Sequence, residues 1–112
     1  DLRYMLTSTT TENVLSAALV LTVKDGVTTC DDANWTATGN QLYSGVLGAT
    51  TTPTVFGDAT PGADTGDRAL AAGASETLCF NVSLPIAATS AVESLTTTAT
   101  FNFVAEQTKN NL

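Results

Sequence analysis

The chain has 112 residues, with four Lys and Arg against eleven Asp and Glu, no His, a net charge of −7, 43% hydrophobic residues and only 13% charged ones. That length suits one domain with one core, and that hydrophobic content excludes a disordered tail. Four cations, Arg3, Lys24, Arg68 and Lys109, are too few to displace counterions from nucleic acid or to dock on anionic lipid, so neither partner is expected.

Taken in order, Leu2 to Thr10 reads as a first strand, with Leu2, Tyr4 and Leu6 on one face. Glu12 to Leu19 places Val14, Leu15, Ala18 and Leu19 at helical spacing, enough for one short turn. Ala18 to Lys24 is the second strand, with Leu19, Leu21 and Val23 together, and Asp25-Gly26 is a strong turn signal. Val27 to Cys30 is read as a short continuation, and Asp31 to Asn40 as a polar connection carrying Trp35. Gln41 to Leu47 is a third strand, interrupted at Gly45. Residues 49–73, rich in Gly, Pro, Asp and Ala, are expected to form a long surface loop anchored by Val55 and Phe56. "TLCFNVSL" (Thr77 to Leu84) alternates strictly: Leu78, Phe80, Val82 and Leu84 face one way, Cys79, Asn81 and Ser83 the other. Pro85 ends that ladder because it has no N–H. Ala87 to Ser94 is a second weak helical candidate. Leu95 to Ala105 is the fifth strand, with Ala99, Phe101, Phe103 and Ala105 on its core face, and a polar tail follows.

Short strands, turn signals and 22 threonines, a β-branched residue suited to a pleated half-wet surface, predict an all-β chain. Residues 1–112 are expected to form one jelly-roll or immunoglobulin-like β-sandwich. Its predicted core is Leu78, Phe80, Val82, Leu84, Phe101 and Phe103, with the Thr77–Leu84 strand at the centre. A two-sheet sandwich wants about seven strands, and the pattern supplies five good ones and one doubtful. An unfilled sheet position leaves unpaired backbone and exposed apolar side chains. Either sequence ahead of Asp1 is missing or another molecule fills the gap. Residues 1–10 are the candidate donor strand, with Leu2, Tyr4, Met5 and Leu6 at a subunit interface.

Residue chemistry argues against an enzyme. Without His there is no His-based triad and no HExxH zinc site. Cys79 has no base near it in sequence. Glu76 and Glu93 could be paired as glycosidase carboxylates, but both are expected at strand or turn ends in solvent. Asp58, Asp64 and Asp67 share a Gly-rich loop and could offer oxygen ligands to Ca²⁺. Their spacing fits no calcium-loop motif, and a solvated acidic loop is the simpler reading, with Arg68 neutralising Asp67 or Glu76. No cofactor is expected. Lys24 with Asn81 or Asn102 could form the Lys–Asn isopeptide bond of some bacterial surface domains, against the plainer reading of a solvent-facing Lys. Cys30 and Cys79 are read as one disulfide, since a Thr-rich, acidic, Lys-poor chain that does not open on Met is expected to be exported and processed. Two buried free thiols are the alternative. The longest apolar run, Ala17 to Leu21, is far too short to span a bilayer.

The stretches "LRYMLTSTTTEN", "GDRALAAGASETLCFNVSLP" and "LTTTATFNFVAEQTKNN" resemble the TasA/camelysin group, small proteins secreted by Gram-positive bacteria through a dedicated (SipW-type) signal peptidase. The resemblance covers most of the chain and is weakest between Asp31 and Thr54. It implies a jelly-roll-like sandwich that polymerises into extracellular fibres, one subunit's N-terminal strand completing the neighbour's sheet. The implied function is a structural subunit of a pilus-like or biofilm-matrix filament at the cell surface, with the chain itself as partner. Members of the group carry further β-forming sequence before the segment matching "LRYML", which leaves the donor strand undecided. The protease activity attributed to camelysin does not carry over, since this sequence offers no metal site for it. The competing expectation is a monomeric secreted adhesin or carbohydrate-binding domain, with Trp35, Tyr43 and Tyr4 as an aromatic platform.

Overall fold

A computed structural model describes residues 1–48, 54–58, 60–62 and 64–108. Among these residues the chain forms seven strands: β1 (Leu2–Thr10), β2 (Val20–Asp25), β3 (Asn40–Val46), β4 (Thr54–Phe56), β5 (Arg68–Leu70), β6 (Leu78–Ser83) and β7 (Ala99–Gln107). They make an all-β sandwich of two antiparallel sheets. In the four-stranded sheet β1 pairs with β7 from Leu2↔Gln107 to Thr10↔Ala99 without a break. Its other edge meets β5 at Leu2 to Tyr4 and β4 at Leu6 and Thr7. The second sheet has the order β3-β2-β6. Two single-turn helices, α1 (Leu15–Ala18) and α2 (Asp32–Trp35), and a 3₁₀ turn at Ser90–Val92 bridge strands. The Glu12 carboxylate accepts the N–H groups of Val14, Leu15 and Ser16 and so holds α1.

The core lies between the inward faces of the two central strands. Leu6 from β1 and Leu21 and Val23 from β2 are fully buried, with Tyr4, Leu47, Val55 and Phe56 around them. Ser8 is buried among them and donates to the carbonyl of Leu47 at 2.8 Å. The β2 strand ends at Asp25, one residue past the expected Lys24, because Gly26 turns the chain at φ +68°, a left-handed conformation open to Gly at no steric cost. Cys30 and Cys79 form the expected disulfide, with Cα atoms 5.5 Å apart. The bridge holds β6 from its outer face and closes a 49-residue separation, worth roughly 4 kcal/mol on the chain-entropy account.

Several expectations need correction. The first concerns the donor strand. Leu2, Tyr4, Met5 and Leu6 do not lie on a free arm: β1 pairs within its own chain along both edges, and Tyr4, Met5, Leu6 and Ser8 are buried. It is the middle of its sheet because both of its faces carry residues that need cover. Tyr4 and Leu6 point into the sandwich, and Met5 lies under Gly57, whose added Cβ would sit 2.8 Å from the Met5 Cβ. Second, residues 49–73 are not simply a loop. Val55 and Phe56 are the buried anchor expected, but they belong to β4, and β5 follows; each strand has three residues and is specified by pairing with β1 more than by its own pattern. Third, Val27 to Cys30 is not a strand, and Leu95 to Thr98 lies before β7.

The fourth correction concerns the predicted core. The Thr77–Leu84 strand is an edge, not a centre, since β6 pairs only with β2 among the described residues. Its faces are as read: Phe80 and Val82 stand opposite Val23 and Leu21 in register, on the inward side. Yet Phe80 is 37%, Val82 48%, Leu84 49% and Phe103 55% exposed, and only Leu78 and Phe101 are partly packed on the core. Phe80, Val82 and Phe103 face inward with only partial cover: Phe80 stacks on Phe101 and Phe103 lies against Tyr4. Leu6→Ala should therefore cost about 2–5 kcal/mol in denaturant unfolding of the monomer, while Phe103→Ser should cost less than about 1 kcal/mol; equal losses would place Phe103 in the core after all.

Candidate functional site

Hydrogen-bond parity defines what β6 and β7 present to their surroundings. In an antiparallel ladder, residues that exchange backbone hydrogen bonds with the partner alternate with residues whose N–H and C=O point the other way. Thr108 N–H donates to Asp1 O (3.2 Å) and Thr11 N–H to Thr98 O (3.1 Å), at the two ends of the β1–β7 ladder. Odd-numbered residues of β1 therefore bond to even-numbered residues of β7. The backbone groups of Ala99, Phe101, Phe103 and Ala105 point to the open edge. In the other sheet, Leu47 N–H donates to Leu19 O at 3.0 Å, so odd residues of β2 bond to β3 and even ones to β6. The outward backbone groups of β6 are then those of Leu78, Phe80 and Val82. On both edges the residues with free backbone groups are also those whose apolar side chains face inward.

The two edges flank one opening. Phe80 and Phe101 stack across it with ring centroids 4.7 Å apart and planes 2° from parallel. Tyr4 lies behind, its ring centroid 6.1 Å from that of Phe103 and 5.6 Å from Phe56. Beside the stacked pair is an open cavity of about 430 Å³ lined by Leu2, Tyr4, Leu70, Leu78, Phe103 and Ala105, among others. Apolar side chains continue past it on the β6 side through Val82 and Leu84 to a fully exposed Ile86. Among the described residues this is an apolar groove between two unpaired strand edges, a shape that strand addition can fill.

A polar cluster closes one end. Tyr4 Oη donates to Glu76 Oε2 at 2.5 Å, and Arg68 donates to Glu76 Oε1 and to Asp25 Oδ2 (2.7 Å). The cluster ties β1 and β5 of one sheet to β2 of the other, and the Arg68 guanidinium also lies 5.9 Å from the Phe56 ring centroid. Burial pushes the Tyr4 phenol up to about 12, with the Glu76 carboxylate adding to the shift. Glu76 holds the Arg68 guanidinium more firmly protonated than usual. Burial works against the Glu76 carboxylate, but the hydrogen bonds from Arg68 and Tyr4 outweigh it and carry Glu76 below its ordinary 4.5.

Other candidate residues are placed as follows. Asp58, Asp64 and Asp67 do meet, with carboxylate oxygens within 4.8 Å of one another. Loop donors occupy them: Thr60 donates to Asp58 and Asp64, and Asp58 N–H to Asp67. Those bonds account for the cluster as a loop closure. Glu93 is exposed and is not part of the Glu76 cluster. The Lys24 ammonium donates to Trp35 O at 2.5 Å and lies 4.8 Å from the Trp35 ring centroid, engaged there and not with Asn81 or Asn102. Trp35, Tyr43 and Tyr4 form no platform: Tyr43 packs on the core from β3 and Tyr4 from β1, in different sheets, while Trp35 sits on α2 under Lys24. Lys109 lies outside the described residues. Of the two partners expected for Arg68, the structure gives Glu76; Asp25 and Tyr4 were not singled out with them, because they come from distant segments. No helix among the described residues is long and apolar enough to cross a membrane. Comparison with family models, with curated proteins and with solved structures gives no match.

A carboxylate held below its ordinary pKa in the folded state contributes stability that is complete above the unfolded value and lost as pH falls through the folded one. Glu76 and Asp25 are both in that position. The thermal midpoint should therefore drop as the pH is lowered below about 4.5, and Glu76→Gln should lower the neutral-pH midpoint and flatten that acid limb. An acid limb unchanged in Glu76→Gln would remove the cluster from the account.

Proposed function

We propose that this chain is the structural subunit of an extracellular homopolymeric filament, in which an extended segment of one copy fills the groove between β6 and β7 of the next. The observation that carries this reading is the coincidence of free backbone and inward apolar side chains on both lips of the groove: Phe80 and Val82 on one, Phe101 and Phe103 on the other. Such a surface is completed by a strand, with main-chain hydrogen bonds for affinity and alternate side chains for fit. A contact in which donor and acceptor surfaces differ does not close on itself and propagates as a filament. The donated strand is not β1, which is locked in its own sheet, so it is another segment of the protein. The disulfide fits an oxidising, extracellular setting. The resemblance to the TasA/camelysin group and its jelly-roll wiring points the same way, and the reading assigns the chain no reaction.

Electron microscopy of the native secreted material should show filaments whose subunits stay associated in SDS. Phe103→Asp should cut polymer yield by about tenfold or more, since a carboxylate would have to be buried against Phe80 and Phe101, while leaving the monomer's unfolding midpoint in place. Native protein that migrates only as an 11.5 kDa monomer, or as a closed dimer, would sink the proposal.

A further inference from the structure

The groove has two lips, and a single incoming strand extends one sheet or the other. Resting on the filament reading above, we infer that the strand from the second copy pairs with β7, lengthening the four-stranded sheet, and leaves the edge of β6 unpaired.

The two edges differ in what they offer. β7 runs for nine residues in unbroken register with β1, and neither Pro, Lys nor a bulge interrupts it. These are the devices with which edge strands normally refuse a partner. Its only charge, Glu106, lies near its end and is paired with Arg3 at 2.9 Å. β6 is shorter, at six residues, and is followed within two residues by Pro85. It is also tied at Cys79 to the Cys30 segment, and Asp31 and Asp32 line a small cleft together with Phe80 and Asn81. The cleft thus sets two acidic residues beside the β6 edge, and their charge disfavours a strand from another copy of an anionic chain.

The spacing of the free groups selects the occupant. Backbone donors and acceptors recur at Phe101, Phe103 and Ala105, every second residue, or roughly 6.6 Å apart. An extended peptide has that repeat; a lipid or small apolar ligand would cover the phenylalanines and leave the amides unpaired. Charge then favours a second copy of this chain. With a net charge of −7, two copies repel over most of their surfaces, yet from Thr77 to Ala105 the only ionisable side chain is Glu93. Self-association meets least resistance here. A strand added to β7 places its inward side chains over Phe103 and Phe101, opposite Phe80 and Val82.

Hydrogen–deuterium exchange tests this on the polymer and on the same protein depolymerised to monomer. The amides of Phe101, Phe103 and Ala105 should exchange about 100-fold more slowly in the polymer, with those of Leu78, Phe80 and Val82 little changed. Protection at Leu78, Phe80 and Val82 instead, or at neither edge, overturns the assignment while the filament itself stands. A second variant reads the same edge. Ala105→Pro removes an N–H that points away from β1, so full-length A105P should unfold at the wild-type temperature yet fail to polymerise. Val104→Pro, which removes an N–H bonded to Met5, should destabilise the monomer. Wild-type polymerisation by A105P would also overturn the edge assignment. Wild-type protein that never polymerises would remove the filament reading itself.

Discussion

The fold depends on β1 being paired along both edges. One strand supplies the partner for β7 over its whole length and for β4 and β5 on the other side. Without it the four-stranded sheet has no centre, and β4 and β5, three residues each, lose the ladder that defines them among the described residues. Leu6 and Tyr4 bring the same strand into the core, where they meet Leu21 and Val23 of the opposite sheet. A strand in that position cannot be lent to a neighbour, because leaving would expose its own apolar residues and unpair backbone on two sides at once.

What the sandwich lacks lies beyond β6 and β7. In a closed sandwich each inward side chain is covered from the facing sheet and from strands on both sides. Here, among the described residues, the last strands on this side have neighbours on one edge only. Phe80 and Phe101 partly cover each other by stacking and Phe103 leans on Tyr4, yet Phe103, Val82 and Leu84 stay about half-exposed. Because inward side chains and outward backbone belong to the same residues on both strands, one extended segment can satisfy both needs. A globular partner that covered only the side chains would strand the amides, at a cost comparable to lost hydrogen bonds.

The alternation of "TLCFNVSL" and "ATFNFVA" was legible in the sequence, and so was the face that each residue occupies. Leu21, Val23 and Tyr4 were legible for the same reason, and the Cys30–Cys79 bridge followed from composition. What the pattern does not encode is position within the sheet. Period two is the same for a central and an edge strand, so Phe80 and Leu21 look alike in sequence although one is over a third exposed and the other fully buried. The expected deficit of strands was a misreading of the count: β4 and β5, inside the stretch read as a loop, bring the described strands to seven. β1 reads as a detachable arm only if its partners are unseen, and those partners, Thr54–Phe56 and Arg68–Leu70, are too short to show a period of their own. The Arg68–Glu76 pair was legible, but Tyr4 and Asp25 were hidden as its neighbours for a related reason, since they join it only when the two sheets stack.

The position of the disulfide follows from the same geometry. β6 is held by β2 on one edge and gains little burial from its inward face, where Val82 and Leu84 stand half-exposed. A strand so placed is the first expected to fray from its sheet. Cys79 points outward from β6, is itself buried beneath the Cys30 segment, and fixes the strand from the face that the groove does not use. The bridge thus holds one lip of the groove in place while the apolar side stays open. An extra apolar contact on the inward face would have secured β6 equally well, but only by filling the space between Phe80 and Phe103. Stapling from outside lets the isolated sandwich keep a formed, uncovered groove.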